Sequence, residues 1–278
     1  MSNLISARDL HDLLGDPDLV VVDVRFHLGH PQQGRREYEA GHIPGAFYLF
    51  LEPDLSAPHT DHGGRHPLPE MSVFVNTLER AGISNSSHVI VYDGASGVIA
   101  GRLWWMLKYL GHDTVQVLDG GYPAWVGAGY PVSTSLPLPA PGSFTSRLRP
   151  EMVADLDEVK RALTDPKALL IDARAAERYR GEHEPLDKQA GHIPSARNYP
   201  FAGNLENGLY KSPEALRERF RDAEAAEEVI VYCGSGVSAP HNLIALAEAG
   251  IEGAKLYIGS WSDWSSYDDN PVATGDES

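Results

Sequence analysis

Cysteine is almost absent, since the 278 residues contain only Cys233. That excludes an intrachain disulfide and a cysteine-rich zinc site, and it leaves a lone thiol that is either packing filler or a reagent. Positive charge is scarce too: 23 Lys and Arg face 39 Asp and Glu, for a formal net charge of -16. A domain that grips a nucleic-acid backbone needs a basic face to replace condensed counterions, so neither nucleic acid nor an anionic membrane surface is expected as a partner. No apolar run approaches the ~20 residues that span a bilayer, and the N-terminus lacks a basic stretch followed by a long apolar one. A cytoplasmic protein is expected. What is present is a globular balance, with 42% hydrophobic residues, and enough chain for one large domain or two of average size.

The chain repeats itself. Val20-Val21-Val22-Asp23-Val24-Arg25 is answered by Leu169-Leu170-Ile171-Asp172-Ala173-Arg174, and Ala40-Gly41-His42-Ile43-Pro44 by Ala190-Gly191-His192-Ile193-Pro194. Val89-Ile90-Val91-Tyr92-Asp93-Gly94 is answered by Val229-Ile230-Val231-Tyr232-Cys233-Gly234, and the segment from Leu118 to Trp125 by that from Tyr257 to Trp264. A period near half the chain means two copies of one domain and not a solenoid, whose repeats run to ~20–50 residues. Residues 133–150 are rich in proline and serine without helical or alternating pattern, as a linker would be. The predicted organisation is a first domain over 1–136, a linker over 137–148 and a second domain over 149–278.

Within each copy, apolar runs alternate with helical stretches, which predicts an α/β fold with a mainly parallel sheet flanked by helices. In the second half the predicted strands are 168–172, 196–199, 229–232 and 254–257. The predicted helices are 155–163, with Asp155 as N-cap, 213–221 after Ser212, and 237–249 ended by Gly250. Active sites of such sheets collect at the carboxyl edge, where strands turn into helices. Cys233 stands at that edge.

The residues after it, Gly234-Ser235-Gly236-Val237-Ser238, lead into a helix. Two glycines let the backbone curl so that successive N–H groups point inward, and the helix terminus adds to a field that favours a thiolate. A phosphatase loop would need an arginine six positions beyond the cysteine, where this chain has Ala239, and no basic side chain occurs from Cys233 to Ala239. A papain-like protease would need a histidine as general base, but His241 is expected on the helix behind the loop, on its wrong side.

These features resemble the two-domain rhodanese-type sulfurtransferases: tandem copies with AGHIP after an Asp-x-Arg strand end, one cysteine loop in the second copy, and closing tryptophan segments. The loop CGSGVS is similar to the CGSGVT form of the 3-mercaptopyruvate sulfurtransferases, with Ser238 for threonine. Thiosulfate enzymes of the animal kind carry arginine and lysine where this chain has Gly234 and Ser235. The resemblance implies that Cys233 takes a sulfane sulfur as a persulfide and passes it to a thiol, cyanide or a thioredoxin-like protein, with no cofactor and no metal. It also implies a catalytically silent first domain, and Asp93, the counterpart of the cysteine, cannot carry a persulfide. A non-catalytic rhodanese-like module that binds a partner or senses sulfide is the alternative.

The resemblance further assigns Ser235, His66 and Glu52 to assist the cysteine, and Arg178 to the donor. Ser238, Gly234, Gly236 and Val237 complete the loop that receives donor and persulfide. Arg174 also stands at the strand edge, within reach of the donor or of Asp172, and it has a counterpart in Arg25. A second donor-binding arginine of the family falls in an EPR segment, which here reads Glu184-Pro185-Leu186. His59, His62 and His66 lie in a stretch, 52–70, without counterpart in the second half. It reads as an insertion reaching toward the other domain, and as loop residues its histidines are expected to be solvated. His42 and His192, shared by both copies, read as structural.

Overall fold

Each half folds into its own parallel sheet. The computed structural model describes residues 2–94, 96–138 and 140–276 and divides into two compact units, Met1–Ala57 with Leu68–Arg149, and Pro58–Pro67 with Pro150–Ser278. In the first unit, β1 (Leu4–Ile5), β2 (Leu19–Asp23), β3 (Phe47–Tyr48), β4 (His88–Tyr92) and β5 (Val115–Leu118) run in the order β1-β5-β4-β2-β3. In the second, β6 (Val153–Ala154), β7 (Ala168–Asp172), β8 (Arg197–Asn198), β11 (Glu228–Tyr232) and β12 (Lys255–Tyr257) run in the order β6-β12-β11-β7-β8, and β9 (Leu205–Glu206) pairs with β10 (Leu209–Tyr210) as an antiparallel hairpin. Strands of both five-stranded sheets pair in parallel. The continuous apolar runs follow from this, because β4 and β11 are central and covered on both faces. Val229 to Tyr232 are all buried, as are Val89 to Tyr92.

The repeat extends to individual hydrogen bonds. Asp23 pairs in register with Tyr92, and Asp172 with Tyr232. The Tyr92 and Tyr232 hydroxyls accept from the N–H of Ile43 and Ile193 at 3.2 and 3.1 Å. His42 and His192 are fully buried, each with Nδ1 on the carbonyl of a stacked tyrosine, Tyr38 at 2.7 Å and Tyr179 at 2.8 Å. A histidine so held in both halves anchors the chain at the AGHIP turn. Trp125 and Trp264 are likewise buried in their unit cores, with indole N–H groups donating to the Pro131 and Pro271 carbonyls.

Several details differ from the sequence reading. The helix after the cysteine loop is Ala239–Glu248 and begins two residues later than expected, because Gly236 takes φ 74° and Pro240 fits the first helical turn. The helix expected over 213–221 ends at Arg219 and is followed by a separate turn, Arg221–Ala225. The stretch read as a linker is pinned along the first unit: the N–H groups of Gly142, Arg147 and Arg149 donate to the carbonyls of Glu79, Leu110 and Tyr109. Its proline content suppresses regular structure without freeing the chain.

Candidate active site

Cys233 follows β11 directly and is 1% exposed. Burial by itself would push its thiol up. The Ser238 hydroxyl and the N–H groups of Ser235, Ala239 and Ser238 outweigh that by hydrogen bonding to the sulfur, and the thiol lies below its ordinary value. The glycines allow this curl, and Ser238 supplies the hydroxyl that the sequence assigned to the loop. Val237 is buried against the core at the start of the helix.

A second element fixes the loop from outside. The N–H groups of Trp261 and Ser262 donate to the carbonyls of Cys233 and Gly234, both at 2.9 Å. The Ser260 Oγ accepts from the Cys233 N–H at 3.1 Å, donates to the Tyr257 carbonyl at 2.9 Å and lies 3.9 Å from Sγ. Ser260 was missed by sequence reasoning. It takes φ 55°, a left-handed conformation unusual for a residue with a Cβ, and its counterpart in the first copy is Gly121 at φ 57°. A serine where the repeat places glycine was the signal. Replacing Ser260 by alanine or by glycine removes the same hydrogen bonds, but only alanine keeps the strain. Ser260→Ala is therefore expected to be about 1 kcal/mol less stable than Ser260→Gly in urea denaturation; equal stabilities would contradict the strain.

Segment 58–67 belongs to the second unit although it is inserted in the first half of the sequence. The Gly63 N–H donates to Asp263 at 2.7 Å and the Arg65 N–H to the Ser262 hydroxyl at 3.0 Å, while His62 stacks on Tyr267. Gly64, at φ 83°, makes the approach possible, since a Cβ there would lie 2.5 Å from the Gly259 carbonyl oxygen. The seam delivers His66 to the cysteine loop, with its Nδ1 2.8 Å from the Ser235 Oγ. His66 is buried, so the solvated state expected of the loop histidines describes His59 but not His66. A packing seam over 200 residues of sequence removed it from water. Glu52 is exposed in the first unit, before the cis peptide to Pro53.

The arginines part company. Arg174, expected within reach of the donor or of Asp172, is 2% exposed, and its guanidinium forks onto Asp172, donates to the Gly191 carbonyl at 2.6 Å and meets Glu184 at 3.3 Å. Arg25 makes the same fork onto Asp23 and the same bond to the Gly41 carbonyl in the half that has no cysteine. That corrects the donor-facing reading: with its nitrogens engaged inside the core, Arg174 ties the strand end to the AGHIP turn. Arg178 instead stays 18% exposed. Its Nε and Nη2 are held by Glu184 and its Nη2 also by Asp187, and its Nη1 faces Gly234, where a Cβ would lie 3.2 Å from it. Glu184, Asp187 and Arg65, which pairs with Asp187, complete this side. Leu186 is exposed and brings no charge. His241 is buried behind the loop, bonded to Asn204 and stacked on Tyr210.

The first copy fills the corresponding position differently. The Asp93 carboxylate accepts from the N–H groups of Gly97, Ile99 and Ala100 at 3.0, 2.9 and 3.2 Å. An internal anion thus occupies the amides that a thiolate would need.

The profile of the rhodanese-like domain matches the chain twice, over residues 6–128 and 155–267. The chain is 42% identical to a probable 3-mercaptopyruvate sulfurtransferase of Pseudomonas aeruginosa over 99% of both sequences, and 40% identical to a putative thiosulfate sulfurtransferase of Mycobacterium tuberculosis over 98% of this chain and 97% of that one. The crystal structure of a 3-mercaptopyruvate sulfurtransferase from Escherichia coli superposes with a TM-score of 0.81 at 31% identity, covering 94% of this chain and 100% of the other. Among the described residues no helix is long and apolar enough to cross a membrane.

Proposed function

Since the chain belongs to the rhodanese-like family and is a sulfurtransferase, we propose that Cys233 carries the transferred sulfur and that 3-mercaptopyruvate is its preferred donor. The observation that carries the first part is the buried sulfur receiving the Ser238 hydroxyl and three backbone N–H groups. A thiolate so held attacks the donor's sulfur; the S–S bond forms as the donor's C–S bond breaks, and the electron pair leaves on the enolate of pyruvate, which takes a proton at carbon. On this reading Ser235, bonded to His66, moves that proton between the donor thiol and the product. An acceptor thiolate then attacks the outer sulfur, the S–S bond breaks, and the Cys233 thiolate returns with release of a new persulfide. With no second cysteine in the chain, discharge requires an external acceptor: a small thiol, cyanide, or a thioredoxin-like protein. Such acceptors and a lone reduced cysteine favour the cytoplasm as the site of reaction.

Donor choice rests on where charge stands. The guanidiniums of Arg65 and Arg178 approach Gly234, the residue after Cys233. Mercaptopyruvate carries its carboxylate at a distance from the transferable sulfur and can meet them, whereas thiosulfate carries its charge on the adjacent atom and brings it against the thiolate. One charge-assisted hydrogen bond contributes about 1.5–3 kcal/mol, enough for roughly a ten-fold or larger difference in kcat/KM. Steady-state kinetics with both donors decides it, and a thiosulfate advantage overturns the preference. The first domain, 1–136, is on this reading silent, its amide nest closed by Asp93, and catalysis belongs to 149–278 together with the inserted segment that carries His66.

A further inference from the structure

One short turn holds both the cysteine loop and the inserted segment. Through backbone N–H groups, Trp261 and Ser262 fix the carbonyls of Cys233 and Gly234. Through side chains, the same turn grips segment 58–67. The Asp263 Oδ1 accepts from the Gly63 N–H at 2.7 Å and the Ser262 Oγ from the Arg65 N–H at 3.0 Å, while the Ser266 Oγ lies 2.7 Å from His62 Nδ1, whose ring stacks on Tyr267. Asp263 is 6% exposed, and its other oxygen accepts from the Tyr257 hydroxyl at 2.6 Å. Burial and the Asp263 charge push that hydroxyl up, so it stays protonated and a donor. The carboxylate fits because residue 259 is glycine, where a Cβ would run into the Asp263 side chain. The repeat shows which of these groups the fold itself requires. Gly259 and Trp264 match Gly120 and Trp125 of the first copy, but Tyr257, Ser262 and Asp263 match Leu118, Pro123 and Ala124, and at the same offset Ser266 and Tyr267 match Gly127 and Ala128. Both copies build a short helix here, yet each side chain that grips the segment is missing from the copy without a cysteine. A buried carboxylate costs stability unless it is paired, and the first copy folds without one, so the reason for Asp263 is the segment it holds.

We propose that Ser262 and Asp263 form a docking site for the backbone of segment 58–67 and are the positioning residues that set His66 against Ser235, with Tyr257 orienting the carboxylate. Because the cysteine loop and the segment hang on neighbouring residues of one turn, the distance between Ser235 and His66 follows from that turn and not from the length of the inserted chain. The docking stands on these contacts alone; that the Ser235–His66 pair serves sulfur transfer rests on the reading above.

Hydrogen exchange and two reactions of Cys233 separate the docking from the chemistry. In Asp263→Ala the Gly63 N–H loses its acceptor, and its exchange, read by NMR, is expected to quicken about ten-fold or more; Asp263→Asn keeps an acceptor oxygen and should bring it back to within about three-fold of wild type. Ser262→Ala should act in the same way on the Arg65 N–H, and it takes the place of Asp263→Ala should that variant fail to fold. Alkylation of Cys233 by iodoacetamide needs only the thiolate, whose loop is held by backbone groups, so it should change less than about two-fold in these variants. Single-turnover persulfide formation from 3-mercaptopyruvate needs the proton transfer as well, and it should slow about ten-fold in Asp263→Ala and recover in Asp263→Asn. Unchanged exchange at Gly63 and Arg65 overturns the docking site. So does alkylation that slows in step with sulfur transfer, which would assign these side chains to the loop. Faster exchange with undiminished persulfide formation upholds the docking and overturns the role given to Ser235 and His66 instead.

Discussion

Replacing Cys233 by serine is expected to leave the fold intact and to lower sulfur transfer by about a thousand-fold or more. Serine is nearly isosteric, and its hydroxyl can take the hydrogen bonds that Ser238 and the loop amides now give to the sulfur. What it lacks is chemistry: at neutral pH it is neither ionised nor able to hold a sulfane sulfur. The intact mass of wild-type protein should gain one sulfur atom on exposure to donor and lose it to an added thiol, while Cys233→Ser should gain none. The alkylation rate of the wild-type thiol should also rise with pH about a midpoint below that of an ordinary thiol, in keeping with the direction of its shift. Substantial turnover by Cys233→Ser would move catalysis elsewhere.

The largest expected effect on stability comes from the Asp172–Arg174 pair. Both side chains are at most 1% exposed, and Asp172→Ala would leave a buried guanidinium without the carboxylate it forks onto, at a cost of about 3–5 kcal/mol. Against a domain stability of about 5–15 kcal/mol, that is enough to shift the second unit far toward unfolding. Replacing both partners with apolar residues, Asp172→Leu with Arg174→Met, should cost much less, because no charge is stranded. The Arg174 guanidinium lies 4.7 Å from the Trp261 ring centre, so tryptophan fluorescence during urea denaturation reads the effect locally. A single variant as stable as wild type would show that the fork is dispensable and would return Arg174 to the pool of donor-binding candidates.

That pair also shows how far local sequence reaches. Asp-x-Arg at a strand end is visible in both copies, and its appearance beside Asp93 as well as beside Cys233 argues for structure over chemistry. The alternatives of donor contact and internal fork nevertheless share one sequence, and what separates them is where the guanidinium packs: onto Asp172 and onto the Gly191 carbonyl, 17 residues on. Ser260 stood one comparison away: alignment with Gly121 marks it, once backbone conformation is considered. Arg65 gives no such sign, since its segment has no counterpart in the second half against which it could be compared.

The duplicated α/β architecture, the strand that ends at Cys233, the glycine loop after it and the loss of the thiol at Asp93 can all be read from the order of amino acids. These are encoded by contiguous residues, where apolar runs, turn glycines and a helix start act within a few positions of one another. Packing alone brings distant side chains to the cysteine loop and its neighbours: His66 reaches Ser235 across 169 residues, and Arg65 reaches Asp187 across 122. Contacts of that span depend on how the inserted segment packs against the turn at Gly259, where a few ångströms of close approach at Gly64 set the position of every side chain that follows. No local pattern carries that information, because the forces that place those side chains arise only once the second unit has folded.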